Sequence, residues 1–230
     1  MEALLLPRMA AITVTCEGAG ELYLTNYPWL ERRAVQVVPQ ASEIEDFDRV
    51  RAERSTNFRI VYCGTFYNGI RDPALFLQAV AAIEQPDIEV VIAGRNPEFA
   101  SLFNAHSKLH DLGVVPHQRA LALAKGATVL LHMGNATDSQ APGKLYEYIG
   151  ARRTILAIQN SVNDSAAGMI EQYRRGLVVP NRQSDIEGAI RRLYAVWQQG
   201  VLEGSFDLER VDEVSWARRA KQYQAILEEL

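Results

Sequence analysis

Phe58-Arg59-Ile60-Val61-Tyr62-Cys63-Gly64 opens the stretch whose reading decides the fold, and Ile88-Glu89-Val90-Val91-Ile92-Ala93-Gly94 closes it. Each is a near-continuous apolar run stopped by glycine, the pattern of a strand buried on both faces. Between them, Asp72-Pro73 supplies a helix cap and a first-turn proline. Leu75, Phe76, Ala79, Val80 and Ile83 follow at helical spacing. Strand, crossover helix and second strand make the unit of a parallel sheet.

The alternation continues outward. Asn96-Pro97 opens a further helix by the same cap logic, and a weaker strand is expected over Leu112 to Val115. Then come a helix from His117 to Lys125, the strand Thr128-Val129-Leu130-Leu131-His132, a helix from Gly143, and the strand Thr154 to Ile158. A helix over Ser165 to Arg174 leads to the strand Leu177-Val178-Val179, and Ser184 with Glu187 reads as a capping box for a helix ending near Gln199. About six strand–helix units with short loops predict an α/β fold. It is a Rossmann-like doubly wound parallel sheet with helices on both faces. Such sheets bind ligands beyond the carboxyl ends of their strands. That singles out the loops Gly64–Arg71, Gly94–Asn96, Val115–His117 and His132–Lys144, the last of them long and polar.

The flanks read differently. Ile12 to Thr15 and Ala34 to Pro39 are short strands around a helix from Ala19 to Tyr27. Residues 40–57 are polar and charged, as in a linker or surface loop. Val211 to Leu230 is a helix on which Trp216 and Tyr223 read as packing anchors. The expected organisation is 1–40, 41–210 as the ligand-binding domain, and 211–230 as a C-terminal helix.

Ala141-Pro142-Gly143-Lys144-Leu145-Tyr146-Glu147-Tyr148-Ile149 carries the chemistry. Pro142 suits a helix start, and Gly143 and Lys144 leave free amides at the positive end of the helix dipole. This is an anion site with a lysine in it, and Glu147 lies one turn on. Amides facing phosphates and a carboxylate accepting from sugar hydroxyls can hold both ends of a nucleoside diphosphate. The plain alternative is an exposed Lys144–Glu147 ion pair of little worth. Leu145 stands where a P-loop needs Ser or Thr, and no G-x-G-x-x-G follows a strand, which argues against a P-loop and a nicotinamide enzyme.

Composition excludes other classes. The 230 residues are 48% hydrophobic and 23% charged, with a net charge of −4 and no long basic run, so nucleic acid is not the expected partner. No apolar run approaches the ~18–20 residues of a membrane span, and no signal peptide is evident. The two cysteines, Cys16 and Cys63, read as core thiols of a cytoplasmic protein, which leaves room for a peripheral contact at the inner membrane surface. His106 and His110, four apart on an expected helix, read as a solvated face, because spacing places no third ligand. His132, beside the long loop, reads as a packed core histidine ahead of a ligand contact, and Cys63 reads as inert. No metal and no cofactor is expected.

Taken in order, these pieces suggest a family. Gly64 with Arg71, Val91-Ile92-Ala93-Gly94, Leu112-Gly113-Val114-Val115-Pro116, Ala127 to Leu131, Gly143 to Ala151, Arg153 to Ala157, Gly176 to Pro180 and Ser215-Trp216 cover most of the chain. Together they resemble the C-terminal, donor-binding half of a retaining glycosyltransferase with the two-domain GT-B fold, of the large group 1 or family 4. The resemblance implies that Glu147 accepts from the ribose hydroxyls and that Gly143 and Lys144 meet the diphosphate. Arg71 stands near a phosphate-binding basic residue, and Gly64 belongs to the same loop. Gly94, Arg95, Val115 and Pro116 lie where the base is held. A second glutamate of the family falls at Ser139, which is not acidic, although Asp138 is adjacent. Catalytic residues are not assigned.

The implied partner is a nucleoside diphosphate sugar, UDP-, GDP- or similar, whose sugar passes to a glycan or lipid-linked acceptor. The implied N-terminal domain is missing but for residues 1–40, so the chain is expected to be a truncated donor-binding domain, with self-association through 1–40. The alternatives are a non-catalytic nucleotide-binding or assembly module and another enzyme on this fold, such as a sugar-nucleotide epimerase.

Overall fold

The computed structural model describes residues 2–135, 142–161 and 164–230. Ser139 and Asp138 lie outside the described residues. The chain starts with α1 (Glu2–Leu5), β1 (Ile12–Val14), α2 (Glu17–Asn26), β2 (Val35–Val37) and α3 (Ile44–Arg49). The repeating part is β3 (Phe58–Cys63), α4 (Ala74–Ala81), β4 (Ile88–Ala93), α5 (Ala100–Asn104), β5 (Leu109–Asp111), α6 (His117–Gly126) and β6 (Val129–Met133). It continues through α7 (Gly143–Gly150), β7 (Thr154–Gln159), α8 (Ser165–Gln172), β8 (Gly176–Pro180) and α9 (Gln183–Gln198), and α10 (Trp216–Glu228) follows.

The main sheet has six parallel strands in the order β5-β4-β3-β6-β7-β8. The order reverses between β3 and β6, which is where a ligand crevice opens in a doubly wound sheet. β1 and β2 pair in parallel as a separate two-stranded sheet. Alternation along the buried strands divides the core into two layers. Phe58, Ile60 and Tyr62 of β3 face α4 and α9 with Phe76, Leu77, Ile186, Ile190 and Leu193. Val61 and Cys63 face α6, α7 and α8 with Leu123, Leu145, Tyr148 and Ile170. Both faces are therefore covered, as the continuous apolar strands require.

Several expectations are corrected. The segment 40–57 is not merely a linker: α3 buries Ile44 and Phe47, spaced three apart in an otherwise charged run, against α7. Gly150 makes room for them, since a Cβ there would lie 2.9 Å from the Phe47 ring. The weak strand sits earlier, at Leu109–Asp111, because Gly113 adopts φ +59° and ends the extended run. His110 is thus on β5 and His106 precedes it, so the two share no helix. Helix α9 begins at Gln183 with no side-chain cap, and Glu187 pairs with Arg191 at 2.7 Å instead of closing a capping box on Ser184. Asp164, not anticipated as a cap, starts α8 by accepting from the amides of Ala166 and Ala167. On α10, Trp216 is 49% and Tyr223 41% exposed, so neither is an anchor. The anchor is Arg219, which is 5% exposed and donates to the Gln40 carbonyl at 3.2 Å and the Glu213 carbonyl at 2.7 Å.

Candidate functional site

Helix α7 is placed at the switch point by its own sequence. Leu145, Tyr146, Tyr148 and Ile149 are buried, leaving Lys144 and Glu147 on the outer side. The Tyr148 hydroxyl accepts from the Cys63 amide at 2.9 Å, fixing the helix to the carboxyl end of β3. Burial, chiefly, holds the Tyr148 phenol well above its ordinary pKa, so it stays a neutral hydroxyl. Burial also pushes the Cys63 thiol up to about 11, with Lys144 opposing and Glu147 adding. Cys63 is therefore inert as read from sequence, and both α7 charges lie within electrostatic reach of the end of β3.

Pro142 precedes α7 in extended conformation and provides no side-chain cap. Gly143 matters sterically: a Cβ there would meet the Gln40 carboxamide oxygen at 2.4 Å, so the linker side chain lies against the helix start. Lys144 Nζ and Glu147 Oε2 are 2.7 Å apart. The ion pair foreseen as the plain reading is present.

Across the switch point, Tyr67 and Arg71 exchange backbone hydrogen bonds of 3.2 and 2.8 Å around a turn with Gly69 at φ +72°. The Arg71 guanidinium lies 5.8 Å from the Tyr67 ring centroid and its Nε donates to Asn135 Oδ1 at 2.9 Å. Arg71 thus spans the loops after β3 and β6. Asn160, just after β7, donates to the Ile70 carbonyl at 3.2 Å and the Gly134 carbonyl at 2.8 Å. Asn181, just after β8, donates to Asn160 Oδ1 at 2.8 Å.

The loops after β3, β4 and β5 are stitched by backbone. A Cβ on Gly94 would lie 1.9 Å from the Gly64 carbonyl oxygen, so that approach requires glycine. The Gly94 amide donates to the Gly113 carbonyl at 2.8 Å. Asn96, expected to cap a helix, instead accepts from the Phe66 amide at 2.7 Å and donates to the Gly64 carbonyl at 3.3 Å. Arg95 and Pro116 are exposed and Val115 is half-buried, farther along the same rim.

Gly143, Lys144 and Glu147 therefore come together on α7, Arg71 is joined to Asn135 in the loop after β6, and Gly64 and Gly94 act through backbone contact. The sequence reading missed Gln40, Asn96, Asn135, Asn160 and Asn181. A signal existed: an asparagine follows each of β4, β6, β7 and β8 within three residues. Among the described residues no three His, Cys, Asp or Glu side chains converge as a metal site, and no helix is long and apolar enough to cross a membrane. A hollow of about 560 Å³ adjoins the α7 start, lined by Cys16, Gly18, Pro39, Pro142, Tyr146 and Tyr173.

No family model and no curated protein matches this sequence. Solved structures do. HepE from Anabaena in complex with UDP-glucose superposes with a TM-score of 0.73 at 11% identity, over 96% of this chain and 64% of that one. Sucrose-phosphate synthase from Thermosynechococcus elongatus gives 0.70 at 16%, over 100% and 62%. WaaG, a glycosyltransferase involved in lipopolysaccharide biosynthesis, gives 0.68 at 13%, over 93% and 62%. The fold is that of the C-terminal half of a GT-B glycosyltransferase. The chain spans less than two thirds of the length of each of these GT-B structures.

Proposed function

We propose that this chain is the donor-binding half of a glycosyltransferase, and that its ligand is a nucleoside diphosphate sugar. The supporting observation is the placement of α7: a helix start carrying Lys144 and Glu147 is fixed to the end of β3 by Tyr148, while Arg71 bridges the loops after β3 and β6 at the same switch point. On this reading the first-turn amides of α7 face the diphosphate, Lys144 and Arg71 balance its charge, and Glu147 leaves Lys144 to accept from the ribose hydroxyls. When the bond between sugar and diphosphate breaks, its electron pair goes to the leaving oxygen, and these same groups stabilise the negative charge that builds there. The sugar passes to a glycan or lipid-linked acceptor. Gly94, Arg95, Val115 and Pro116 form the base end of the site. We assign residues 1–40 to the N-terminal half and linker, 41–210 to the donor domain, and 211–230 to the closing helix. We place the activity in the cytoplasm.

The Lys144–Glu147 contact favours one other reading, a module whose charged groups serve only each other. Calorimetric titration with UDP, GDP and ADP separates the two. Saturable binding of at least one supports the donor site. No binding heat at millimolar concentration from any of them overturns it.

A further inference from the structure

His132 is the buried polar group that the site described above leaves unused. It lies on β6 one residue before the strand ends, is 3% exposed, and its Nε2 has no hydrogen-bond partner among the described residues. Buried polar atoms are nearly always paired, so an orphan calls for a reason. Alternation puts Val129, Leu131 and Met133 with the α4–α9 layer, so His132 points to the layer of α6, α7 and α8 with Leu130. Its register partner on β7 is Ala157, and Cys63 and Ala93 end β3 and β4 in the same layer, so within the sheet the imidazole is flanked by small side chains.

Two residues on, the rim is polar. Arg71 reaches Asn135, and Asn160 holds the Gly134 carbonyl. That rim has a second orphan. Asn160 spends its amide on two carbonyls, so its oxygen faces Asn181, whose amide must donate to it. Asn181 Oδ1 is thereby left buried and unpartnered. The other orphaned atoms, on Gln85, His106, Arg152, Thr154 and Arg175, lie at or before the amino-terminal ends of strands. Only His132 and Asn181 among them lie where a doubly wound sheet binds its ligand.

We propose that His132 is a ligand-contacting residue that hydrogen-bonds a hydroxyl of the transferred sugar through Nε2. This deepens the donor-site reading and rests on it. The chemistry selects a hydroxyl over a phosphate oxygen. A neutral imidazole nitrogen either donates or accepts, according to tautomer, and a hydroxyl answers both, whereas a phosphate oxygen only accepts. The imidazole is neutral because burial, with the Arg71 charge nearby, depresses its pKa to about 4.

The test compares UDP with UDP-glucose and GDP with GDP-mannose by calorimetry, and follows the imidazole nitrogens of His132 by NMR. Sugar nucleotides are expected to move the Nε2 resonance more than the free diphosphates do. His132→Phe is expected to weaken sugar-nucleotide binding about tenfold while leaving diphosphate binding within about twofold, and His132→Gln to restore part of the loss. If His132→Phe does not fold, the wild-type imidazole shift decides alone. Tight sugar-nucleotide binding with an unmoved Nε2 and an unchanged variant overturns the proposal and leaves the donor site standing. No binding of any of the four compounds, nor of ADP, overturns both.

Discussion

Glu147→Ala separates a binding carboxylate from an ornamental ion pair. Glu147 sits 2.7 Å from Lys144, with side chains 33% and 41% exposed. At that exposure solvent screens the pair, and removing it costs about 0.5 kcal/mol of stability at most. For a chain of this length that lowers Tm by about 1–2 °C. A carboxylate accepting from ribose hydroxyls contributes more, about 1.5–3 kcal/mol for charge-assisted hydrogen bonds in a partly desolvated site. Nucleotide affinity should therefore fall about 10- to 150-fold while Tm barely moves. Glu147→Gln keeps the shape and removes the charge, and should lie between the two. The assays are calorimetric titration with the best-bound nucleoside diphosphate and thermal unfolding followed by circular dichroism. Unchanged affinity refutes the ribose role. A Tm drop of more than about 8 °C refutes the premise that the carboxylate is structurally dispensable.

Two further outcomes follow from geometry and burial. Gly94→Ala should cost on the order of 3 kcal/mol or more by urea denaturation, because its Cβ would lie 1.9 Å from the Gly64 carbonyl oxygen, whereas Gly69→Ala, with open space around it, should cost only about 1 kcal/mol for its positive φ. His132 has a folded-state pKa of about 4, below its ordinary 6.5, so the unfolded chain takes the proton first as pH falls. Its contribution is therefore absent above about pH 6.5 and grows to a destabilisation of about 3 kcal/mol near pH 4. Urea denaturation at pH 7, 5.5 and 4 should show a weaker acid dependence in His132→Phe than in wild type, and parallel curves would refute the buried neutral imidazole.

The sheet was legible because its strands are hydrophobic on both faces and its helices carry a 3.6-residue period. Phe58 to Cys63 and Ile88 to Ala93 match β3 and β4 residue for residue. Short elements were less legible. Helix α3 buries only Ile44 and Phe47 among charges, too weak a pattern to stand out from a loop. Capping motifs failed where other partners won: Asn96 turned to the loop after β3, a tertiary contact, and Glu187 to Arg191 one turn on in its own helix. The α7 start was legible because an anion-attracting helix terminus is a local property. The Asn160–Asn181 relay and the Gln40 contact are not, since they join segments far apart in sequence whose proximity only the parallel topology creates.

The most direct test of the nucleotide site is residue-resolved. Backbone amide NMR during titration with the best-bound nucleoside diphosphate should shift Gly143 and Lys144 strongly and saturably, as amides that gain a phosphate acceptor do. Binding heat accompanied by unmoved Gly143 and Lys144 amides would contradict the site at the start of α7.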